Sequence, residues 1–135
     1  MEPISLKPLF IHRILGGTSL RDNLGYEIPS KNNDECWAIS SHENGNCVVL
    51  NEKFKGFTLS KLWNDPIELF GNTKVDNLPL LTKILDPNNN NLSVKVHPNI
   101  DYAKINENGE LDKTECLYII DNAEMIFGHN AKSRE

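Results

Sequence analysis

The sequence predicts a mainly β fold with a small helical insertion, and three observations carry that expectation. Leu92, Val94 and Val96 alternate strictly with Ser93, Lys95 and His97 ahead of Pro98. Period two marks a strand with one packed and one polar face. Lys113-Thr114-Glu115-Cys116-Leu117-Tyr118-Ile119-Ile120 is rich in the residue types that fit a pleated sheet. Helical spacing, by contrast, is confined to the middle of the chain, where Leu59, Leu62 and Trp63 fall at i, i+3 and i+4.

Taken in order, Leu9-Phe10-Ile11 after Pro8 reads as a short first strand, and Gly16-Gly17 as a turn. Asp34 to Ser40 and Cys47 to Leu50 read as strands. Between them, Ser41 to Asn46 contains Asn-Gly and reads as a hairpin-like loop, with His42 and Glu43 solvated. Thr58 is a candidate N-cap for the helix through Trp63. Pro66 to Gly71 reads as a second short helix, with proline early and glycine as its stop. The helical insertion therefore spans about 57–71, its apolar stripe being core packing rather than a ligand box. Pro79 to Asp86 is another strand, on which Lys83 could face a pocket or solvent. Asn88 to Asn91 is a turn leading into the Leu92 strand. Pro98-Asn99 ends that strand, because proline cannot donate to a ladder. Asp101 to Asn106 is a short helix or turn, Asn108-Gly109-Glu110 a loop, and Met125 to Gly128 a last strand. The residues from Gly128 to Glu135 look like the start of a helix, with His129 a loop residue.

A length of 135 residues fits one domain, 1–135. The net charge of -5 and pI near 5.4 argue against a nucleic-acid partner, whose binding surfaces are basic. No apolar run is long enough to span a membrane, and Met1 to Lys7 lacks a secretory pattern. Cys36, Cys47 and Cys116 are odd in number and form no CxxC pair. That fits a reduced, cytoplasmic protein better than a disulfide framework.

The chemistry gathers on two segments. One strand face carries Ser93, Lys95 and His97 in a row. Glu115 shares its face with Leu117 and Ile119, which makes it a candidate inward carboxylate. Such a carboxylate is costly unless paired or bound to a metal. Imidazole and carboxylate both suit zinc, so His97 and Glu115 form a candidate half-site. An ordinary hydrogen-bonded histidine is the competing reading.

Ile11 to Gly17, Glu35 to Ser40, Pro79 to Asp86, Leu92 to Pro98 and Lys113 to Cys116 occur in this order. Together these segments resemble the N-terminal part of a type I phosphomannose isomerase, most closely the shorter bacterial branch. The resemblance runs from about Pro8 to the last residue. It implies a cupin-type β-sandwich or jelly roll, incomplete at the C-terminus. It implies the interconversion of mannose 6-phosphate and fructose 6-phosphate through a cis-enediol by a metal-dependent aldose-ketose isomerase, with 1–135 inactive alone. One Zn2+ per complete site is implied, held by His97, Glu115 and a further histidine not in this chain. Ser93 matches a serine that contacts the sugar phosphate, and Lys113 the lysine of a Lys-x-Glu pattern, here a catalytic candidate. Lys95 stands where larger members have a glutamine ligand. An ammonium has no lone pair and repels a cation. Lys95 therefore reads as a substrate-binding residue beside the metal, contacting substrate or Glu115, unless its pKa is lowered enough to make it a ligand. Leu15 replaces an aromatic near the pocket. The implied partners are the two sugar phosphates and the missing downstream half, with no nucleic acid and no membrane. A non-catalytic metal- or sugar-binding module, or a structural half that pairs with another chain, are the alternative readings.

Overall fold

The computed structural model describes residues 2–31, 33–65, 69–71, 75–88, 90–92, 94–107, 114–124 and 128, with the side chains of 13–15 left aside. The chain divides into two compact units, Met1–Ser93 and Val94–Glu135. Among the described residues strands outnumber helices, as the sequence predicts.

The first unit is built around β3, Asn33–Ile39. It pairs antiparallel with β2, Leu9–Gly17, on one side and with β7, Thr82–Leu85, on the other. Two smaller sheets accompany this one. β1, Leu6–Lys7, pairs with β6, Val48–Val49, and β4, Ser41–His42, with β5, Gly45–Asn46. The core is formed by Leu20, Cys36, Cys47, Val49, Leu59 and Leu62, all buried. Helix α2, Leu59–Asn64, presents Leu59 and Leu62 inward, and Thr58 Oγ1 accepts from the Lys61 amide at 3.3 Å as the expected N-cap. Of the second expected helix, residues 66–68 lie outside the described residues, and 69–70 form a turn and bend.

Gly16-Gly17 does not form the expected free turn. Both residues belong to β2, in a ladder that slips: His12 and Gly17 each oppose Asn33. The physical reason is close approach. A Cβ on Gly16 would stand 2.6 Å from the Asn33 backbone, and one on Gly17 would stand 2.7 Å from Asp86 Oδ2. That Asp86 carboxylate is buried and fully used. It accepts from the Ser19 amide at 2.7 Å, from Ser19 Oγ at 3.2 Å and from the Asn88 amide at 3.3 Å. It thereby ties the end of β7 to the start of α1, Ser19–Asp22.

The structure settles the direction of Lys83. Its Nζ lies 3.2 Å from Glu35 Oε2 and 4.6 Å from the centre of the Trp37 ring. The same carboxylate oxygen accepts from Trp37 Nε1 at 2.8 Å. Ladder register explains the cluster. Glu35 and Trp37 share a face of β3, and Lys83 is directly opposite Trp37. His42 is not solvated as expected; it is half-buried, its ring edge-on to Trp37 with centroids 6.3 Å apart.

In the second unit, α3 spans Ile100–Asn106. Asn99 caps it, its Oδ1 accepting from the Tyr102 amide at 2.9 Å. The alternating segment before it is not in a ladder. Residues 94–99 and 114–119 carry no strand assignment among the described residues. Alternation supplies the side chains for a sheet, but a ladder also needs a neighbouring backbone. Residues 125–127, expected as a last strand, and His129 lie outside the described residues.

Two outcomes follow from the packing. Asp86→Ala removes the charged acceptor shared by the Ser19 amide, the Ser19 hydroxyl and the Asn88 amide, which costs about 1.5–3 kcal/mol. Gly17→Ala forces a methyl onto the same carboxylate and has a similar effect. A urea denaturation midpoint lowered for both variants, with the slope unchanged, is the expected reading; midpoints equal to the parent protein would refute the account. Thiol reactivity gives a second check. All three cysteines are free, with Cys36 and Cys47 buried and Cys116 exposed. Burial pushes the Cys36 thiol up to about 11, with Cys47 nearby adding to it, and burial also raises Cys47. At pH 8 a chromogenic disulfide reagent is expected to react rapidly with one thiol per native chain and with three after denaturation. These raised values favour the folded state below pH 9, and the advantage falls as pH rises from 9 towards 11, where the unfolded chain sheds protons first.

Candidate functional site

Of the residues predicted to carry site chemistry, Lys95, His97 and Glu115 are described and lie in the second unit. His97 precedes Pro98 and the Asn99 cap of α3, so the helix start fixes the backbone just after it. Glu115 comes from the second segment. The two side chains meet: His97 Nε2 is 2.7 Å from Glu115 Oε2. They are 34% and 41% exposed, so Glu115 is not the buried inward carboxylate expected from alternation. The segment lacks a packed sheet that would turn its face away from water.

A carboxylate only accepts, so with Glu115 ionised the shared proton sits on His97 Nε2. A metal would take that same nitrogen, with the ring's remaining proton on Nδ1. The donor types fit zinc, with bond lengths of about 2.0–2.2 Å that put tetrahedral ligand atoms roughly 3.3 Å apart. The pair at 2.7 Å must open slightly to admit the ion, and half-exposed side chains can do so. His97 and Glu115 therefore fit two positions of a metal site. Among the described residues there is no cluster of three or more His, Cys, Asp or Glu side chains able to hold a metal.

The remaining predicted residues are placed as follows. Lys95 is exposed in the same unit. Ser93 and Lys113 lie outside the described residues. The other described histidines are engaged elsewhere: His12 Nδ1 is 2.9 Å from Ser30 Oγ, and His42 Nδ1 accepts from the Asn44 amide at 3.1 Å. The Glu35–Trp37–Lys83 cluster was not anticipated as a unit. The i, i+2 spacing of Glu35 and Trp37 was visible in the sequence, but the pairing that sets Lys83 opposite them was not.

Comparison with known proteins gives these observations a family. The model of the phosphomannose isomerase type I catalytic domain matches residues 4–128. The chain is 57% identical over 137 aligned positions to mannose-6-phosphate isomerase ManA of Bacillus subtilis (strain 168). It is 51% identical to a mannose-6-phosphate isomerase of Streptococcus mutans serotype c. Each alignment covers 99% of this chain but 43% of the relative. The crystal structure of a mannose 6-phosphate isomerase from Bacillus subtilis superposes with a TM-score of 0.84 at 53% identity, covering 90% of this chain and 38% of that one. The chain thus spans less than half the length of these relatives, corresponding to their N-terminal part. With a family model matched over 4–128, the chain belongs to the type I phosphomannose isomerases, through the N-terminal part of their catalytic domain.

Proposed function

We propose that this chain forms the N-terminal part of a zinc-assisted mannose-6-phosphate isomerase of the cytoplasm, its cupin sandwich completed by sequence the relatives carry beyond the matched region. The observation that carries this reading is the His97–Glu115 contact at 2.7 Å within a chain of this family. The reaction moves a proton between C2 and C1 of a sugar phosphate through a cis-enediol.

His97 and Glu115 would hold the ion, which, when bound, supplies a Lewis acid for substrate oxygens. His97 must present an unprotonated Nε2 to it, and Glu115 supplies negative charge to balance the cation. Lys113 lies two residues before Glu115. An ammonium there would stabilise negative charge as it develops on the sugar oxygens. Ser93 offers a hydroxyl donor to the phosphate. Lys95 adds a cation suited to substrate hydroxyls or phosphate rather than to the metal. A catalytic zinc site uses three protein ligands and an open position, and this chain contributes two of them.

The experiment is a coupled isomerase assay with added zinc. The chain is assayed alone and then joined to the remaining sequence of the Bacillus subtilis relative. No turnover is expected alone, and turnover after joining. In the joined protein His97→Ala and Glu115→Ala are each expected to lower zinc content and activity at least a hundredfold. Full zinc stoichiometry in both variants would refute the ligand assignment, and robust turnover by the purified chain alone would refute the division of the site.

Lys95→Gln separates ligand from neighbour. Two unit charges ~5 Å apart at an effective dielectric of 20 repel by roughly 3 kcal/mol before screening by solvent. Removing the ammonium is therefore expected to leave zinc affinity unchanged or tighten it, while raising KM for the sugar phosphate. Loss of zinc in equilibrium dialysis would show that the amine is itself a ligand.

A further inference from the structure

The first unit carries a cleft of about 440 Å3 that none of the predicted site residues lines. Small-molecule sites fall in the range of about 300–1,000 Å3 and are mostly apolar with a few polar groups. This lining has that make-up. Phe10, Tyr26, Pro8 and Pro29 supply apolar wall, and Lys7 and Glu27 stand in the same lining. The ladders explain why these residues meet. Lys7 is held on β1 opposite Val48, and Phe10 on β2 opposite Cys36. The Tyr26 amide donates to the Leu20 carbonyl at 3.0 Å, which ties the segment after α1 back onto that helix. Phe10 and Tyr26 then meet edge to face, their ring centroids 5.8 Å apart and their planes at 70°, a favoured aromatic geometry. The two prolines add backbone of fixed φ. The wall is therefore formed before any ligand arrives, which keeps the ordering cost of binding small.

The two charges select the ligand. Lys7 and Glu27 are both exposed, and neither forms an ion pair among the described residues. Opposite charges thus line one cleft without closing on each other, and the gap between them is open to a molecule that carries both signs. We propose that this cleft binds a zwitterionic dipeptide with apolar side chains. Its carboxylate faces Lys7, its ammonium faces Glu27, and its side chains lie on Phe10 and Tyr26. Other ligand chemistries match the lining less well. A sugar phosphate brings a dianion against the Glu27 carboxylate and finds a single cation. A wholly apolar ligand uses neither charge and takes water from both, which is costly. A free α-amino acid carries its two charges on one carbon, too close together for side chains that do not reach each other. One peptide unit separates the two ends by a further ~3.8 Å from Cα to Cα. The inference goes beyond the isomerase reading and uses neither the metal site nor the sugar.

The test titrates leucyl-leucine into the isotope-labelled chain and follows the amide signals by nuclear magnetic resonance. Saturable shifts around Lys7 and Phe10 and around Tyr26 and Glu27, half-complete below about 10 mM, are the expected result. Two analogues remove one charge each. Leucyl-leucine amide lacks the carboxylate, and N-acetyl-leucyl-leucine lacks the ammonium. Each is expected to bind about threefold to fivefold more weakly, the size of effect a partly solvated charge contact gives. Lys7→Gln is expected to weaken leucyl-leucine by the same factor without weakening the amide. Glu27→Gln is expected to weaken leucyl-leucine without weakening the N-acetyl analogue. Both positions are exposed, so both variants keep the far-ultraviolet circular dichroism of the parent. The absence of saturable shifts at the cleft would overturn the proposal. So would analogues that bind as tightly as leucyl-leucine, or a variant that weakens its matched analogue as much as the dipeptide. An equal response to inorganic phosphate would assign the cleft to anions, and overturn it too. The readout needs neither zinc nor turnover, so failure of the isomerase reading leaves this outcome separately visible.

Discussion

The ladder of β3 is the constraint on which the first unit depends. β3 is paired on both edges, so its position fixes those of β2 and β7. It carries polar side chains into places where water cannot serve them, and each demands a partner. Glu35 answers with Trp37 and Lys83. The glycines of β2 answer a different demand, letting the neighbouring backbone and the Asp86 carboxylate come close enough to pair. The sequence features that look most ordinary, a Gly-Gly pair and an Asp at a strand end, are thus set by distances of under 3 Å.

The same strand shows how a cation is fixed without a classical buried ion pair. Lys83 Nζ sits over the Trp37 ring and beside Glu35, its side chain about a quarter exposed and that of Glu35 about a tenth. Partial exposure keeps the desolvation cost low, while the aromatic face and the carboxylate both attract the charge. The β4–β5 hairpin also comes close to the indole. A Cβ on Gly45 would stand 2.7 Å from the Trp37 ring, so glycine sets how closely the hairpin approaches. Trp37 thereby touches both the β7 lysine and the hairpin and works as a spacer between sheet and hairpin.

Much of this was legible in the residues. The strand at 34–40, the Thr58 cap and the Asn-Gly hairpin each have local causes, and local causes are written in short stretches of sequence. What was not legible depends on partners far along the chain. Gly16-Gly17 reads as a turn until Asn33 and Asp86 are set against it. Lys83 has no readable direction until the ladder places it opposite Trp37. Alternation at 92–97 identifies side chains fit for a strand, but the ladder itself belongs to a backbone that the segment cannot supply. His97 and Glu115 were readable as a pair from their residue types and their places in two strand-like segments, and the family resemblance names the same two. Their exposure was not, because burial is decided by what packs around them.

That exposure bears on the chemistry. His97 and Glu115 meet at 2.7 Å while their side chains remain 34% and 41% exposed, so water competes with each for the other. Val94 and Val96 alternate with Lys95 and His97 along the same segment, and in a paired strand such alternation sends the two sets to opposite faces. The valines are exposed as well, so one cause, the lack of a ladder at 94–99 among the described residues, leaves both the apolar and the polar members of the segment in contact with water.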